Sequence, residues 1–252
     1  MTLDKVFNDG YRRIQEKYFA EQAKFIETIA EARDMPAEWI QRVQGIFIPN
    51  NEFMFNMFGE EVLQYDCYRD GQCIWDNALI FPVRGVNECV AGIAGFFPFK
   101  YVEHKDGEYY YSYSSSSVFT KGRYLYMPNS SLMQAITDGY AIVVDGLFDA
   151  ISLSSLGYNV ASLMGSKVTP EIVMQLRFVK NVLVAADNDQ AGMQLVADVR
   201  KQIHSAKLLE HAETKDVDEL LKGNKAHEFV EKLNTYLKSL GITNHFGSLS
   251  DL

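Results

Sequence analysis

Acidic residues sit just beyond the ends of apolar runs at several points in the second half of this 252-residue chain. Tyr140-Ala-Ile-Val-Val-Asp145 leads into Gly146-Leu-Phe-Asp149, and Asn181-Val-Leu-Val-Ala-Ala-Asp187 leads into Asn188-Asp189-Gln-Ala-Gly192. Asp216 and Asp218 follow one further strand candidate. In open α/β sheets, ligands bind outside the carboxyl ends of the strands. Two strand ends holding Asp145 opposite Asp187 and Asp189 would make an oxygen-rich cage suited to Mg²⁺ or Mn²⁺. Carboxylates brought together without cations repel one another and raise their own pKa values. Divalent ions relieve that repulsion, and two of them ~3.5–4 Å apart can clamp the attacking and leaving oxygens of a phosphoryl transfer. General base toward an incoming hydroxyl is a second role open to Asp145. Each cluster alone also has a plain structural reading: a helix N-cap for Asp189 and Asp216, a solvated loop charge for the others. It is their combination that points to a metal.

The elements that must position these acids alternate. Strands at 140–144, 159–163, 181–186 and 206–210 are separated by helices at 147–156, 170–178 and 190–204, which implies parallel strands with right-handed crossovers. Thr169-Pro170-Glu171 is a helix start, with a capping hydroxyl, a first-position proline and an acid in the first turn. A short helix precedes this half at 131–137, and another at 226–240 leads into a frayed tail.

The first half reads differently. Leu3, Val6, Phe7, Tyr11, Ile14, Tyr18, Phe25, Ile26 and Ile29 recur at helical steps, so residues 3 to 33 are helical. A second helix starts with Pro36 in its first turn and stops at Gly45. Residues 51–58 form another, whose aromatics and methionines belong to the core. From 61 to 126 the pattern is β-rich. Asp70-Gly71 and Asp106-Gly107 are hairpin signals. Strands run over 78–84, Cys89–Phe97 and the tyrosine-rich 109–113, and 114–117 is a polar loop.

Composition sets the outer bounds. Hydrophobic content of 47% and charged content of 23% describe an ordinary globular protein. No apolar run reaches the ~20 residues of a membrane span, and the N-terminus lacks a signal-peptide layout, so a cytoplasmic protein is expected. The formal net charge of −9 argues against broad adhesion to nucleic acid, though not against a local basic groove. Cys67, Cys73 and Cys89 lack zinc-ribbon spacing, so no zinc site is expected and the thiols are read as free and mostly buried.

The motifs together resemble the Toprim family. Val144-Asp145-Gly146-Leu-Phe-Asp149, Ala186-Asp187-Asn-Asp189-Gln-Ala-Gly192 and Lys215-Asp216-Val-Asp218 are similar to its three acidic motifs. Upstream, Leu79-Ile-Phe-Pro-Val-Arg84 with Ala91-Gly-Ile-Ala-Gly95, Val118-Phe-Thr-Lys121-Gly-Arg123-Tyr-Leu-Tyr126 and Arg42-Val-Gln-Gly45-Ile46 resemble elements of bacterial-type (DnaG-like) primases. Ala161-Ser-Leu-Met-Gly165-Ser166 parallels the Toprim Gly-Thr turn. The resemblance implies a Toprim fold, a mostly parallel sheet flanked by helices, preceded by a helical and antiparallel β-rich subdomain. The implied organisation is an N-terminal helix at 1–35, an α/β subdomain at 36–137, the Toprim domain at 138–223 and a helix with tail at 224–252.

The activity implied is synthesis of short RNA primers on single-stranded DNA from nucleoside triphosphates with Mg²⁺ or Mn²⁺. Asp145, Asp149, Asp187, Asp189, Asp216 and Asp218 would form the metal cage, with Asp145, Asp187 and Asp189 catalytic. Arg84, Lys121, Arg123 and Arg42 would face the template or the triphosphate, since guanidinium forks grip phosphate oxygens bidentately. The 109–113 tyrosines offer faces for base stacking, though packing within the sheet is the commoner use of alternating tyrosines. Three departures stand out: Asp145 replaces the family's glutamate, Gln190 a frequent arginine, and Val217 the proline of the third motif. No zinc module or helicase-binding domain is seen, so a replicative helicase and a separate zinc-binding module are expected partners, and a bacteriophage-type minimal core in a bacterial host is the expected source. A Toprim nuclease needs the same cage. A catalytically weak Toprim protein that binds DNA or a replisome component would share the fold.

Overall fold

The computed structural model of the chain describes residues 2–65, 68–69, 72–103, 109–115, 122–165, 167–209, 214 and 216–242. The chain divides into two compact units, Met1–Lys121 and Gly122–Leu252.

In the first unit, helix α1 (Leu3–Lys17) is capped by the Thr2 hydroxyl, which accepts the Lys5 N–H. Residues 3 to 33 are not one helix, because the backbone breaks at Tyr18 (φ −129°, ψ 16°) before α2 (Phe19–Ala32). The apolar period runs through the break unchanged, which is why it cannot be read from the pattern. Tyr18 packs edge-on against Phe53 at 5.3 Å. Helix α3 (Ala37–Arg42) has Pro36 as its extended N-cap rather than its first residue, and ends three positions before Gly45. Strand β1 (Ile46–Ile48) and helix α4 (Asn51–Phe58) follow. Met54, Met57 and Phe58 are buried, so the aromatic and methionine cluster is core.

The β-rich reading needs one change, since Glu60–Tyr65 is a 3₁₀ stretch. After it come β2 (Tyr68–Arg69), β3 (Gln72–Cys73), β4 (Ala78–Arg84), β5 (Val90–Glu103) and β6 (Tyr109–Ser115). The β2–β3 and β5–β6 pairs are antiparallel, while their turn signals at Asp70-Gly71 and Asp106-Gly107 lie outside the described residues. Strand β6 takes in Ser114 and Ser115, which were expected in a loop; Ser116 and Ser117 lie outside the described residues, and so do the side chains of 109–113. The main sheet has the order β1-β4-β5-β6, antiparallel throughout. Gly95 on β5 is needed for close approach: a Cβ there would lie 2.0 Å from the Trp75 ring, which is fully buried in this unit's core. Cys73 is buried and Cys89 exposed, so the thiols are not uniformly core; Cys67 lies outside the described residues.

In the second unit, α5 (Leu132–Asp138), β7 (Tyr140–Val144), α6 (Leu147–Ser155), β8 (Val160–Ser162), α7 (Pro170–Leu176), β9 (Asn181–Val184), α8 (Gln190–Gln202) and β10 (Lys207–Leu208) alternate as expected. The sheet order is β10-β9-β7-β8, all parallel. Strands buried on both faces read as continuous apolar runs, and Ala141 to Val144 are fully buried. Each such Val or Ile contributes roughly 1.5–3 kcal/mol by leaving water. Tyr126 bridges Ser162 in antiparallel fashion at the β8 edge. Helix α9 (Val217–Lys222), absent from the sequence reading, precedes α10 (Ala226–Ser239). Among the described residues, no helix is long and apolar enough to cross a membrane.

Candidate metal centre

Strands β7 and β9 are neighbours, with Val143 opposite Val184, so the residues just past their ends emerge side by side. Asp145 leaves β7 and Asp187 leaves β9, while Asp149 projects from the first turn of α6. One carboxylate oxygen from each of Asp145, Asp149 and Asp187 lies within 4.8 Å of the others.

Backbone contacts hold Asp145 in place. Its carbonyl accepts the Gly165 N–H at 3.1 Å and the Ser162 hydroxyl at 3.1 Å, and the same hydroxyl accepts the Met164 N–H. Met164 takes a left-handed φ of 53°, so the turn after β8 is bent to reach back to Asp145. Asp187 is fixed by close packing, because a Cβ on Gly192 would lie 2.0 Å from the Asp187 carbonyl oxygen. The glycine of the Asp-x-Asp-x-Ala-Gly motif thus lets the first turn of α8 lie directly on the strand end. Asn188 donates from its amide to the Thr214 carbonyl at 2.8 Å, tying this loop to the segment before α9.

The remaining acids have different duties. Asp189 caps α8 by accepting the Gly192 N–H at 2.8 Å, and Asp216 caps α9 by accepting the Glu219 N–H at 2.7 Å. Asp218 is no solvated loop charge, being only 4% exposed. Its Oδ1 accepts the Ser152 hydroxyl and its Oδ2 pairs with the Lys222 ammonium, each at 2.6 Å. The Asp218 N–H in turn donates to Asp149 Oδ1 at 3.0 Å. The structure therefore gathers Asp145, Asp149 and Asp187 and seats the other three acids around them. Ser162 belongs to the turn motif already singled out, whereas Ser152 and Lys222 were missed by the sequence reading. Only Lys222 left a signal, the four-residue spacing from Asp218 that pairs charges along a helix.

Electrostatics show what this crowding costs. The Asp149 carboxyl is pushed up to about 8, first by burial and then by the charge of Asp216, against the pull of the Asp218 N–H. Asp145 is raised by burial, opposed by its own backbone N–H and reinforced by the charge of Asp189. Oδ1 of Asp145 is buried without a hydrogen-bonding partner. A buried carboxylate oxygen with nothing to accept is costly, and a hard cation bound by oxygen ligands would complete it. The donor set fits a divalent ion.

The basic candidates are placed as follows. Arg84, at the end of β4, donates to the Glu88 carbonyl at 2.9 Å and the Gln44 side chain at 2.6 Å. Arg42 is exposed in the last turn of α3. Arg123 is exposed, its guanidinium 5.6 Å from the centre of the Tyr124 ring. Lys121 lies outside the described residues, as do Ser166 and Lys215 of the motifs. Gln190 is exposed at the start of α8, and Val217 is buried in α9.

Known proteins share the fold that carries this site. Residues 142–221 match the Toprim-like family. A DNA primase of Aquifex aeolicus is 32% identical over 127 residues, 50% of this chain and 24% of that protein. The crystal structure of the zinc-binding and RNA polymerase domains of the Aquifex aeolicus primase superposes with a TM-score of 0.68 at 21% identity, covering 95% of this chain and 62% of that one. A DnaG primase catalytic domain bound to single-stranded DNA gives 0.63 at 19% identity, covering 94% and 89%. These likenesses establish the fold. The chain spans about a quarter or less of the length of the curated relatives it matches.

Proposed function

With a Toprim-like domain and the fold of a bacterial primase catalytic core as premises, we propose that the protein is a DNA primase, synthesising short RNA primers on single-stranded DNA from nucleoside triphosphates. The observation that carries this reading is the convergence of Asp145, Asp149 and Asp187 at adjoining strand ends of that fold. In each cycle the primer 3′-hydroxyl attacks the α-phosphorus of the incoming nucleotide and pyrophosphate leaves. Bound Mg²⁺ or Mn²⁺ would acidify that hydroxyl and offset the charge of the leaving phosphates.

The chain's own residues supply position and charge. Asp145, Asp149 and Asp187 are the proposed direct ligands, with Oδ1 of Asp145 the oxygen most in need of a partner. Asp189 and Asp216 cap their helices and add negative charge beside the ligands. Arg84, Arg123, Arg42 and Lys121 are the proposed contacts to template and triphosphate, where paired guanidinium donors hold phosphate oxygens. The superposition on a primase domain bound to single-stranded DNA supports assigning this chain the same class of template. A helicase that exposes that template and a separate zinc-binding module are the proposed partners, and the bacterial cytoplasm is the proposed compartment.

The test is primer synthesis by the purified chain on single-stranded templates with labelled ribonucleotides and Mg²⁺ or Mn²⁺. Template-dependent oligoribonucleotides should form and should be lost in Asp187→Ala. Loss of a catalytic metal ligand removes several kcal/mol of charge stabilisation, so a drop of at least about 100-fold is expected. Template degradation without synthesis would overturn the proposal in favour of a nuclease, and binding without turnover would leave a DNA-binding role.

A further inference from the structure

We infer that Asp218 is a positioning residue of the metal centre and not one of its ligands, held by Ser152 and Lys222 so that its backbone N–H fixes Asp149. The inference rests on the metal-dependent reading of the site. Both carboxylate oxygens of Asp218 are engaged, Oδ1 by the Ser152 hydroxyl and Oδ2 by the Lys222 ammonium. The pair is well shielded, with the Asp218 side chain 6% and the Lys222 side chain 21% exposed. A cation on Asp218 would have to share Oδ1 with the Ser152 hydroxyl or share Oδ2 with the Lys222 ammonium, like charge beside like charge in the second case. By contrast, Oδ1 of Asp145 is buried and has no hydrogen-bonding partner. The ligand-type oxygens that gather within 4.8 Å are those of Asp145, Asp149 and Asp187, not Asp218.

The chain of contacts explains what Asp218 does instead. Ser152 lies on α6, one turn beyond Asp149, and Asp218 lies in the first turn of α9. The hydroxyl contact therefore docks the start of α9 against the helix that carries Asp149. Once docked, the Asp218 N–H meets Asp149 Oδ1 at 3.0 Å and sets the rotamer of that carboxylate. Lys222, one turn further along α9, keeps the buried Asp218 charge compensated. The Ser152–Asp218–Lys222 set thus orients a ligand from outside, the usual duty of groups that hydrogen-bond to metal ligands.

Mn²⁺ binding to the intact chain, measured without nucleotide or template, tests this by titration calorimetry or electron paramagnetic resonance. Asp218→Ala should weaken Mn²⁺ about tenfold, at the lower end for loss of a group that orients a ligand. Asp218→Asn combined with Lys222→Gln keeps an oxygen for Ser152 and strands no ammonium, so it should recover affinity to within about threefold of the unaltered protein, a rescue unavailable to a charged ligand. Asp187→Asn serves as the ligand control and should fall well below both. If the Asp218→Asn, Lys222→Gln double variant falls as far as Asp187→Asn, Asp218 is a ligand and the inference is wrong. An Asp218→Ala variant that binds Mn²⁺ normally would overturn it equally. Should Asp218→Ala not fold, Ser152→Ala replaces it, with the same tenfold loss expected and normal binding counting against the inference. Absence of primer synthesis alongside this binding pattern would count against the primase reading alone.

Discussion

Asp149 is the residue at which structure and pH are most tightly linked. An acid whose folded-state pKa is about 8, against an ordinary 3.8, holds its proton more firmly in the folded chain. Between those two values the unfolded chain has released the proton and the folded chain has not, so stability falls as pH rises. The loss is absent below about pH 4 and complete above about pH 8. In the presence of a chelator, the thermal midpoint should therefore decline across this window. Cations compete with the same proton, so Mn²⁺ should raise the midpoint more near pH 8 than near pH 6; equal increments at both would refute the assignment. Gly192 makes a second prediction at this scale. Gly192→Ala forces a methyl group onto the Asp187 carbonyl. It should cost about 1–3 kcal/mol, as overpacking does, and should weaken Mn²⁺ by displacing Asp187. Urea unfolding and metal titration on the same variant check both effects.

At the scale of elements, helix caps and strand edges carry the predictions. Asp189 holds two offices, capping α8 through Gly192 and adding charge beside Asp145. Asp189→Ser retains a capping oxygen, so its stability should stay within about 0.5 kcal/mol, whereas Asp189→Ala should lose about 1 kcal/mol. Any fall in Mn²⁺ affinity common to both variants then measures the charge and not the cap. In the first unit, Gln22 on α2 is buried, and its amide donates to the Phe47 carbonyl and accepts the Phe47 N–H, at 2.8 and 2.9 Å. Strand β1 is an edge, so Gln22 stands in for a missing neighbouring strand. Gln22→Leu removes both of these hydrogen bonds and should cost about 2–4 kcal/mol in urea unfolding. A change below 1 kcal/mol, on the order of one net hydrogen bond, would show that water reaches that edge.

For the whole molecule, the two units can be followed separately. Both tryptophans, Trp39 and Trp75, are buried in Met1–Lys121, so intrinsic fluorescence follows that unit. The metal centre belongs to Gly122–Leu252, where amide exchange at β7 and β9 follows the other. A ligand that binds only the folded state stabilises by mass action, about 2.7 kcal/mol at one hundred times its dissociation constant. Exchange of the Ile142 and Leu183 amides should therefore slow about 100-fold at that Mn²⁺ concentration if it proceeds through unfolding of the unit. Unchanged exchange at saturating Mn²⁺ would place the binding elsewhere.

The sequence by itself determined the alternation of apolar runs and helical stretches in the second half, and with it the parallel sheet. Strands buried on both faces are written as near-continuous apolar runs. It also determined that acids follow the strand ends, since Asp145 and Asp187 lie one and three residues past β7 and β9. Which strands are neighbours is a long-range matter, and only the tertiary structure set β7 beside β9 and so brought Asp145 to Asp187. The break at Tyr18 was hidden because it leaves the apolar period intact, and α9 because six residues carry too little pattern. The capping of Asp189 and Asp216 was legible, whereas the separate fates of the other four aspartates were not. An isolated Asp looks the same as a ligand or a buried ion-pair partner. The difference is made by what its two oxygens meet, and for Asp218 that is Ser152, 66 residues away in sequence.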